Sequence, residues 1–429
     1  MIELVETKTH KNNIYFHTIV SKKFKTVNVV VKCKAMLNRE TITKRALLPF
    51  ILQQGTENYP SEKALMMKLD DLYGAVLSID GAKKGNNHII SFRLEFANEK
   101  FINNETTVMD EALELLREII FSPRTEGETF PDKIVDREKL TLKNKIGSIY
   151  DDKIAYANMR LIDEMCKDEL FELHTNGYVE DLDKIDGAEM YNYYKSLLQE
   201  DRMDVYVLGD FDEAKMSDKL FEIFNRKSTI DPQEANEENH KVIKKSNEII
   251  ETQPIQQAKL HIGYRTNTKY KDDDYFALQV FNGLFGGFPS SKLFINVREK
   301  NSLAYYASSR IESHIGLLLV FSGIEAENYE KARNIIEEQM KEMKQGKYLE
   351  TEIEEVKELI ISELKETLDH PQGIIELLYQ QVVGQKELSP NDFIENIKQV
   401  SKNEIVQVAE KIELDTIYLL TKEGGVVSE

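Results

Sequence analysis

Cysteine is scarce in this chain. Two in 429 residues, Cys33 and Cys166, cannot build a disulfide framework, and no CxxC pair is present. Both lie in apolar contexts and read as small buried hydrophobes. Nine prolines and the lack of any low-complexity tract exclude a proline-rich or disordered chain. No run approaches the roughly 18 consecutive apolar residues of a membrane span. The opening segment "MIELVETKTHKNNIYFHTIV" lacks the basic n-region and long apolar core of a signal peptide, so a cytoplasmic location is expected.

Positive charge is also short. The formal net charge of -19 argues against a nucleic-acid partner and against an anionic membrane surface, both of which select clustered Lys and Arg. It favours solubility, with attraction of a basic peptide as the other reading. Histidine is sparse: the eight are His10, His17, His88, His174, His240, His261, His314 and His370. No two are four apart, no HExxH occurs, and no Ser-His-Asp or Cys-His constellation can be assembled. No intrinsic metal site is expected.

The length allows two or more domains, and the chain repeats itself. "ALLPFILQQGTENYPSEKALMMKLDDLYGAVLS" from Ala46 matches "ALQVFNGLFGGFPSSKLFINVREKNSLAYYASS" from Ala277, with Gly55 opposite Gly286 at the same offset. Each copy reads as an apolar helix, a glycine turn, a second helix of mixed polarity and a small-residue strand. Strand-like runs precede both ("TVNVVVKCKAML", "QAKLHIGYRT"), and period-two strands follow ("HIISFRLEF", "GLLLVFSGI"). Amphipathic helices come next, with Ala112, Leu115, Leu116, Ile119 and Ile120 on one face, and Ala332, Ile335, Ile336, Met340 and Met343 on the other copy's. A long charged helix and a final strand close each half ("RMDVYVLGDF", "ELDTIYLLTK").

This pattern predicts an α+β fold of two homologous domains, each a mostly antiparallel sheet backed by helices. The polar stretch between the halves, with Pro232 and no apolar period, reads as a linker. The division is residues 1–225, a linker over 226–248, and 249–429. Early proteolysis is expected between Arg226 and Glu248.

The order of elements, with "QQGTENYPSE", "LREII-SP", "YVLGDFD" and above all "LFINVREKNSLAYYASS", resembles the insulinase/pitrilysin family of metallopeptidases over nearly the whole chain. The resemblance implies a clam shell of two domains around an internal cavity. Active members carry H-x-x-E-H on the helix before the GT turn, two histidines binding Zn²⁺ and the Glu activating water, with a further Glu ligand downstream.

With Gly55-Thr56 setting the register, the histidine positions fall on Ala46 and Phe50, the catalytic Glu on Pro49, and the downstream Glu at or beside Lys145. Residues 18 to 87 contain no histidine, so no slip restores the motif. A methyl, a proline ring and a phenyl cannot ligate Zn²⁺, and a lysine ammonium repels it. Pro49 is expected to kink the helix near Leu48, or to sit only a few residues after its start.

In the family the second domain supplies an Arg and a Tyr seven residues apart. Here "REKNSLAY" provides Arg298 and Tyr305, with Tyr306 a neighbouring candidate and Arg310 outside the motif. The resemblance implies that the pair donates hydrogen bonds to a substrate carbonyl and its developing oxyanion. Some bacterial members divide the two sets between chains, and this chain is similar to the kind without zinc. The expectation is a chain inactive alone that pairs with an H-x-x-E-H homologue (homodimers being possible in its absence), acts on an extended peptide, and needs no cofactor of its own, zinc being expected only in the partner. The alternative is a peptide-binding or scaffold pseudoenzyme without a proteolytic role, acting in peptide maturation or elongation factor P modification. The turn "LFGGFPSSK" lacks P-loop spacing and reads as a connection between helices.

Overall fold

The computed structural model describes residues 4–102, 107–226 and 245–424, so the linker expected over 226–248 lies mostly outside the described residues. The first half contains strands β1 (Thr7–Lys11), β2 (Ile14–Val20), β3 (Thr26–Met36), β4 (Val76–Lys84), β5 (Asn87–Ala97) and β6 (Arg202–Gly209). Its helices are α1 (Ile42–Leu52), α2 (Glu62–Asp71), α3 (Val108–Phe121), α4 (Asp132–Gly147), α5 (Lys153–Met165), α6 (Val179–Leu182), α7 (Gly187–Glu200) and α8 (Glu213–Ile223). The second half contains β7 (Asn247–Thr252), β8 (Ala258–Arg265), β9 (Ala304–Glu312), β10 (Leu317–Ile324) and β11 (Glu413–Thr421). Its helices are α9 (Tyr275–Asn282), α10 (Tyr329–Lys344), α11 (Glu350–Thr367), α12 (Pro371–Gly384), α13 (Pro390–Gln399) and α14 (Lys402–Lys411).

The duplication is visible in the topology. One sheet runs β1-β2-β6-β3-β5-β4 and the other β7-β11-β8-β10-β9. Without β1, each is the same order of five, with one parallel pair (β2 with β6, β7 with β11) and antiparallel pairs elsewhere. Strands β4 and β9 are the matching outer edges.

The central strands are apolar along most of their length because both faces are covered. Along β3, Val27, Val29, Val31 and Cys33 enter the core that α1, α3 and α7 close, whereas Val30 points into a different one. Along β6, Met203, Val205 and Val207 serve the first core, Tyr206 and Leu208 the second. The period of two therefore sorts residues between two cores rather than between core and solvent.

The second core of each sheet is completed by the opposite half. Leu364, Leu368, Ile374, Ile375, Leu378 and Tyr379, from α11 and α12, pack on Ile19, Val30, Ile89, Tyr206 and Leu208 of the first sheet. Reciprocally, Tyr156, Leu161, Ile162 and Met165 of α5 pack on Leu317, Leu319, Tyr418 and Leu420 of the second. The approach of α5 is close: a Cβ on Gly263 would lie 2.4 Å from the Met165 sulfur, so β8 needs a glycine there.

Ion pairs fasten both exchanged helices. Glu376 of α12 binds Lys32 Nζ at 2.5 Å and Lys84 Nζ at 2.7 Å. Glu251 accepts from the Tyr156 hydroxyl at 2.6 Å and from Arg160 Nε at 3.2 Å, both on α5. The division of the chain at 226–248 follows the repeat; the packing crosses it twice.

Candidate functional site

Helix α1 begins seven residues before Pro49 and ends at Leu52, which places the proline in its last full turn. Pro49 is therefore not near the start of a helix, the second option offered by the sequence. The hydrogen bond that its missing N–H would give to Arg45 O is lost in the middle of the helix, and Gln53 secures the C-terminal end by donating Nε2 to Pro49 O at 2.9 Å and to Ile79 O of β4 at 3.2 Å.

The GT turn is held by a residue that inspection of the turn misses. Gly55 has φ +139°, open to glycine, and a Cβ there would meet Tyr59 O at 2.6 Å. The Thr56 hydroxyl donates to Glu118 Oε1 at 2.8 Å, and Asn58 N donates to the same oxygen at 2.7 Å. Glu118 is buried on the apolar side of α3, where a charged residue signals a partner.

The residue before Ala46 is also charged and buried. Arg45 Nη2 donates to Asp201 at 2.5 Å and to the carbonyls of Cys33 and His88; Nη1 donates to the Tyr193 hydroxyl at 2.9 Å. Arg45 Nε donates to His88 Nδ1 at 3.2 Å, leaving His88 Nε2–H to donate to Thr175 O at 3.1 Å. Burial, with Arg45 adding to it, pushes His88 down to about 3, so it is neutral and acts as a fixed spacer.

Of the four positions that the resemblance assigns to the zinc set, two are packed. Ala46 is 6% exposed and Pro49 is buried. Phe50 is half-buried, and Lys145 Nζ lies over its ring at 5.3 Å from the centroid. The structure thus brings Phe50 and Lys145 together. An alkyl group, a proline, a phenyl ring and an ammonium do not fit Zn²⁺, and among the described residues no group of three or more His, Cys, Asp or Glu is placed to hold a metal.

The Arg/Tyr pair lies on adjoining elements of the second half. Arg298 sits near the end of a π-helical segment, Phe294–Glu299, closed by Lys300 N to Ile295 O at 2.9 Å. Such segments are rare and concentrate at functional sites. The guanidinium is exposed and stacks over its own Phe294 ring at 4.5 Å. Tyr305 is the extra residue in a bulge of β9: Ala304 pairs with Ile324 and Tyr306 with Gly323, leaving Tyr305 between them. Bulges re-aim side chains, and this one leaves Tyr305 64% exposed. Its hydroxyl donates to Glu325 Oε1 at 3.0 Å, and that bond to a carboxylate raises its pKa.

Tyr306 differs. Its ring lies across Gly323, where a Cβ would come within 2.4 Å of it, and its hydroxyl is buried. Only Tyr305 presents its polar end outward.

A cavity of about 480 Å³ opens between the halves. Lys83, Lys145, Asp163, His174, Arg310 and Glu312 are among its lining residues; Arg298 and Tyr305 are not. Arg310 pairs with Glu312 at 3.0 Å and lies over the Phe321 ring at 5.5 Å. It is five residues along β9 from Tyr305, about 15 Å of strand. The structure therefore places Lys145 and Arg310 on one cavity lining, and Arg298 and Tyr305 on adjoining elements outside it.

The Peptidase M16 inactive domain matches residues 184–360. The chain is 47% identical over 423 residues to the probable inactive metalloprotease YmfF of Bacillus subtilis (strain 168), covering 98% of both. It is 24% identical over 289 residues to the uncharacterized zinc protease YmxG of the same organism, covering 64% of this chain and 66% of that one. A crystal structure of a conserved protein from Enterococcus faecalis V583 superposes with a TM-score of 0.89 at 34% identity, covering 97% of this chain and 98% of that one.

Proposed function

Since the chain belongs to the insulinase/pitrilysin (M16) peptidase family as an inactive member, we propose that it works as the non-catalytic subunit of a two-chain peptidase. In this reading an H-x-x-E-H homologue supplies zinc and the base, and this chain supplies Arg298 and Tyr305. The coexistence of an inactive and a zinc-protease relative in one organism is consistent with such a division.

The observation that carries the reading is that the Arg/Tyr pair lies off the cavity lining. Arg298 and Tyr305 are exposed polar groups on adjoining elements, outside the cavity that holds Lys145. Within their own chain they have no metal-site position to serve; across an interface, a planar guanidinium and a phenol are suited to a substrate carbonyl and its oxyanion. Strand β9 is also the outer edge of its sheet, with free backbone groups for an extended peptide.

The test is co-expression with an H-x-x-E-H homologue, followed by size analysis and turnover of quenched peptides. A stable pair that is active only when both chains are present supports the reading; two chains that neither associate nor alter each other's turnover refute it. The second reading, a peptide-binding scaffold in which the pair is a relic, is favoured by the Tyr305–Glu325 bond, which engages the hydroxyl inside this chain.

A further inference from the structure

Several lysines of this chain, Lys8, Lys23, Lys68 and Lys100 among them, have found a carboxylate. Two lysines facing the cavity between the halves have not. Lys83 Nζ donates to Phe171 O at 2.7 Å and Leu173 O at 3.0 Å and lies over the Phe171 ring at 4.0 Å. Two carbonyls and a ring engage its N–H groups without cancelling its charge, so the ammonium has local acceptors but no counter-ion. Lys145 Nζ has the Phe50 ring beneath it and, among the described residues, no salt bridge.

The acids of the same lining are occupied. Asp163 binds His174 Nε2 at 2.8 Å and Arg160 Nη1 at 3.2 Å. Glu312 pairs with Arg310, and Glu172 accepts the Asp168 amide at 2.9 Å. The remaining walls include Met159, Ile162 and Leu319. A volume of about 480 Å³ lies in the ordinary range for a ligand site, and apolar walls with a few convergent polar groups are its usual form.

We propose that this cavity binds a peptide carboxylate, held by Lys83 of β4 and Lys145 of α4, with Arg310 of β9 also on its lining. The lysine that stands at a lost zinc-ligand position would thereby act as an anchor for an anion. The two lysines belong to the first half and Arg310 to the second, so an occupied site ties the halves together. The electrostatics agree: burial pulls Lys83 down to about 8, with Glu312 and Asp163 opposing it at longer range. A bound carboxylate would restore the stability of the charged form.

The proposal takes from the preceding section only that the ligand is a peptide, and it needs no partner chain. Its test uses the isolated chain and fluorescein-labelled octapeptides of Ala and Ser, read by polarisation near neutral pH. One has a free C-terminal acid, one a C-terminal amide, and one an amide with a single central Glu. One charge-assisted contact is expected to favour an acid over the plain amide about tenfold. Preference for the first peptide identifies a chain terminus, and preference for the third an acidic side chain. Lys145→Gln, at an exposed position, should abolish that preference while leaving amide binding unchanged, and Lys83→Met should do the same if it folds. Equal binding of all three peptides, no binding, or a preference that survives Lys145→Gln overturns the proposal. Loss of the acid preference alongside Tyr305-dependent turnover in the two-chain enzyme would remove the carboxylate site alone; the converse would remove the two-chain reading alone.

Discussion

The ammonium of Lys145 lies 5.3 Å from the centre of the Phe50 ring, so two positions that the resemblance assigns to the zinc set meet here as a cation–π pair. The pair links α4 to the last turn of α1 and puts a fixed positive charge beside the place a metal would need.

Purified protein is accordingly expected to carry no stoichiometric zinc. Restoring Ala46→His, Pro49→Glu and Phe50→His together should still give no tight site or peptidase activity, because Lys145 remains; adding Lys145→Glu is the minimum further change. Elemental analysis after mild chelation checks this, and about one retained zinc per chain in the unmodified protein would contradict it.

Tyr305→Phe removes one exposed hydroxyl and keeps the ring, so assembly with a zinc-bearing partner should be unaffected. If the hydroxyl serves an oxyanion, turnover of the reconstituted pair should fall on the order of 100-fold or more while the Michaelis constant changes little. Arg298→Lys should also fail, since an ammonium lacks the planar two-pronged donor. Arg310 lines the cavity and pairs with Glu312, so it is not the neutral control that its place outside the motif suggested. Arg117, paired with Glu114 on the outer face of α3, is the better one. Turnover within about twofold for both site variants would favour the scaffold reading.

Glu376→Gln should destabilise the protein by about 3 kcal/mol near neutral pH, because it strands the Lys32 ammonium, 1% exposed, without its anion. Burial raises the Glu376 pKa, but Lys32 and Lys84 together outweigh it and hold the carboxyl at about 2 against an ordinary 4.5. A depressed carboxylate contributes stability above its unfolded value. That contribution is present above about pH 4.5 and is lost as pH falls toward about 2. Urea melts across this window should show the loss in the parent and a shallower one in the variant.

Residues 1–226 and 245–429 expressed separately should each expose one apolar sheet face and aggregate or bind hydrophobic dyes. Co-expressed, they should purify as one particle, because α5 and α12 each complete the other piece. Size-exclusion chromatography decides the matter: two independently monomeric, folded pieces would mean that the exchanged helices contribute little.

Much of this architecture was readable along the chain. The repeat, the order of strands and the lost H-x-x-E-H all rest on local signals: apolar periodicity, the Gly55-Thr56 turn and residue identity at fixed spacing. What escaped depends on contacts between distant segments. The amphipathic pattern of α12 announces a buried face without naming the sheet that buries it. The bulge at Tyr305 arises from the register of β9 against β10, and the π-helical turn at Arg298 from how residues 294–300 close on one another. Buried Arg45 and Glu118 look like solvent-facing charges until Asp201 and Thr56 are brought beside them.

The exchange of helices also bears on how the protein is made. Leu208 completes the apolar outer face of the first sheet, yet its cover extends to Tyr379, 171 residues later (379 − 208). At roughly 5–20 residues per second, a ribosome holds that face uncovered for about 10–30 s. During that interval a nascent chain presents Ile19, Val30, Ile89, Tyr206 and Leu208 to whatever surrounds it. Synthesis should therefore be the stage at which this protein depends most on chaperones, and slowing translation beyond residue 208 should cost more folded product than slowing it before β6.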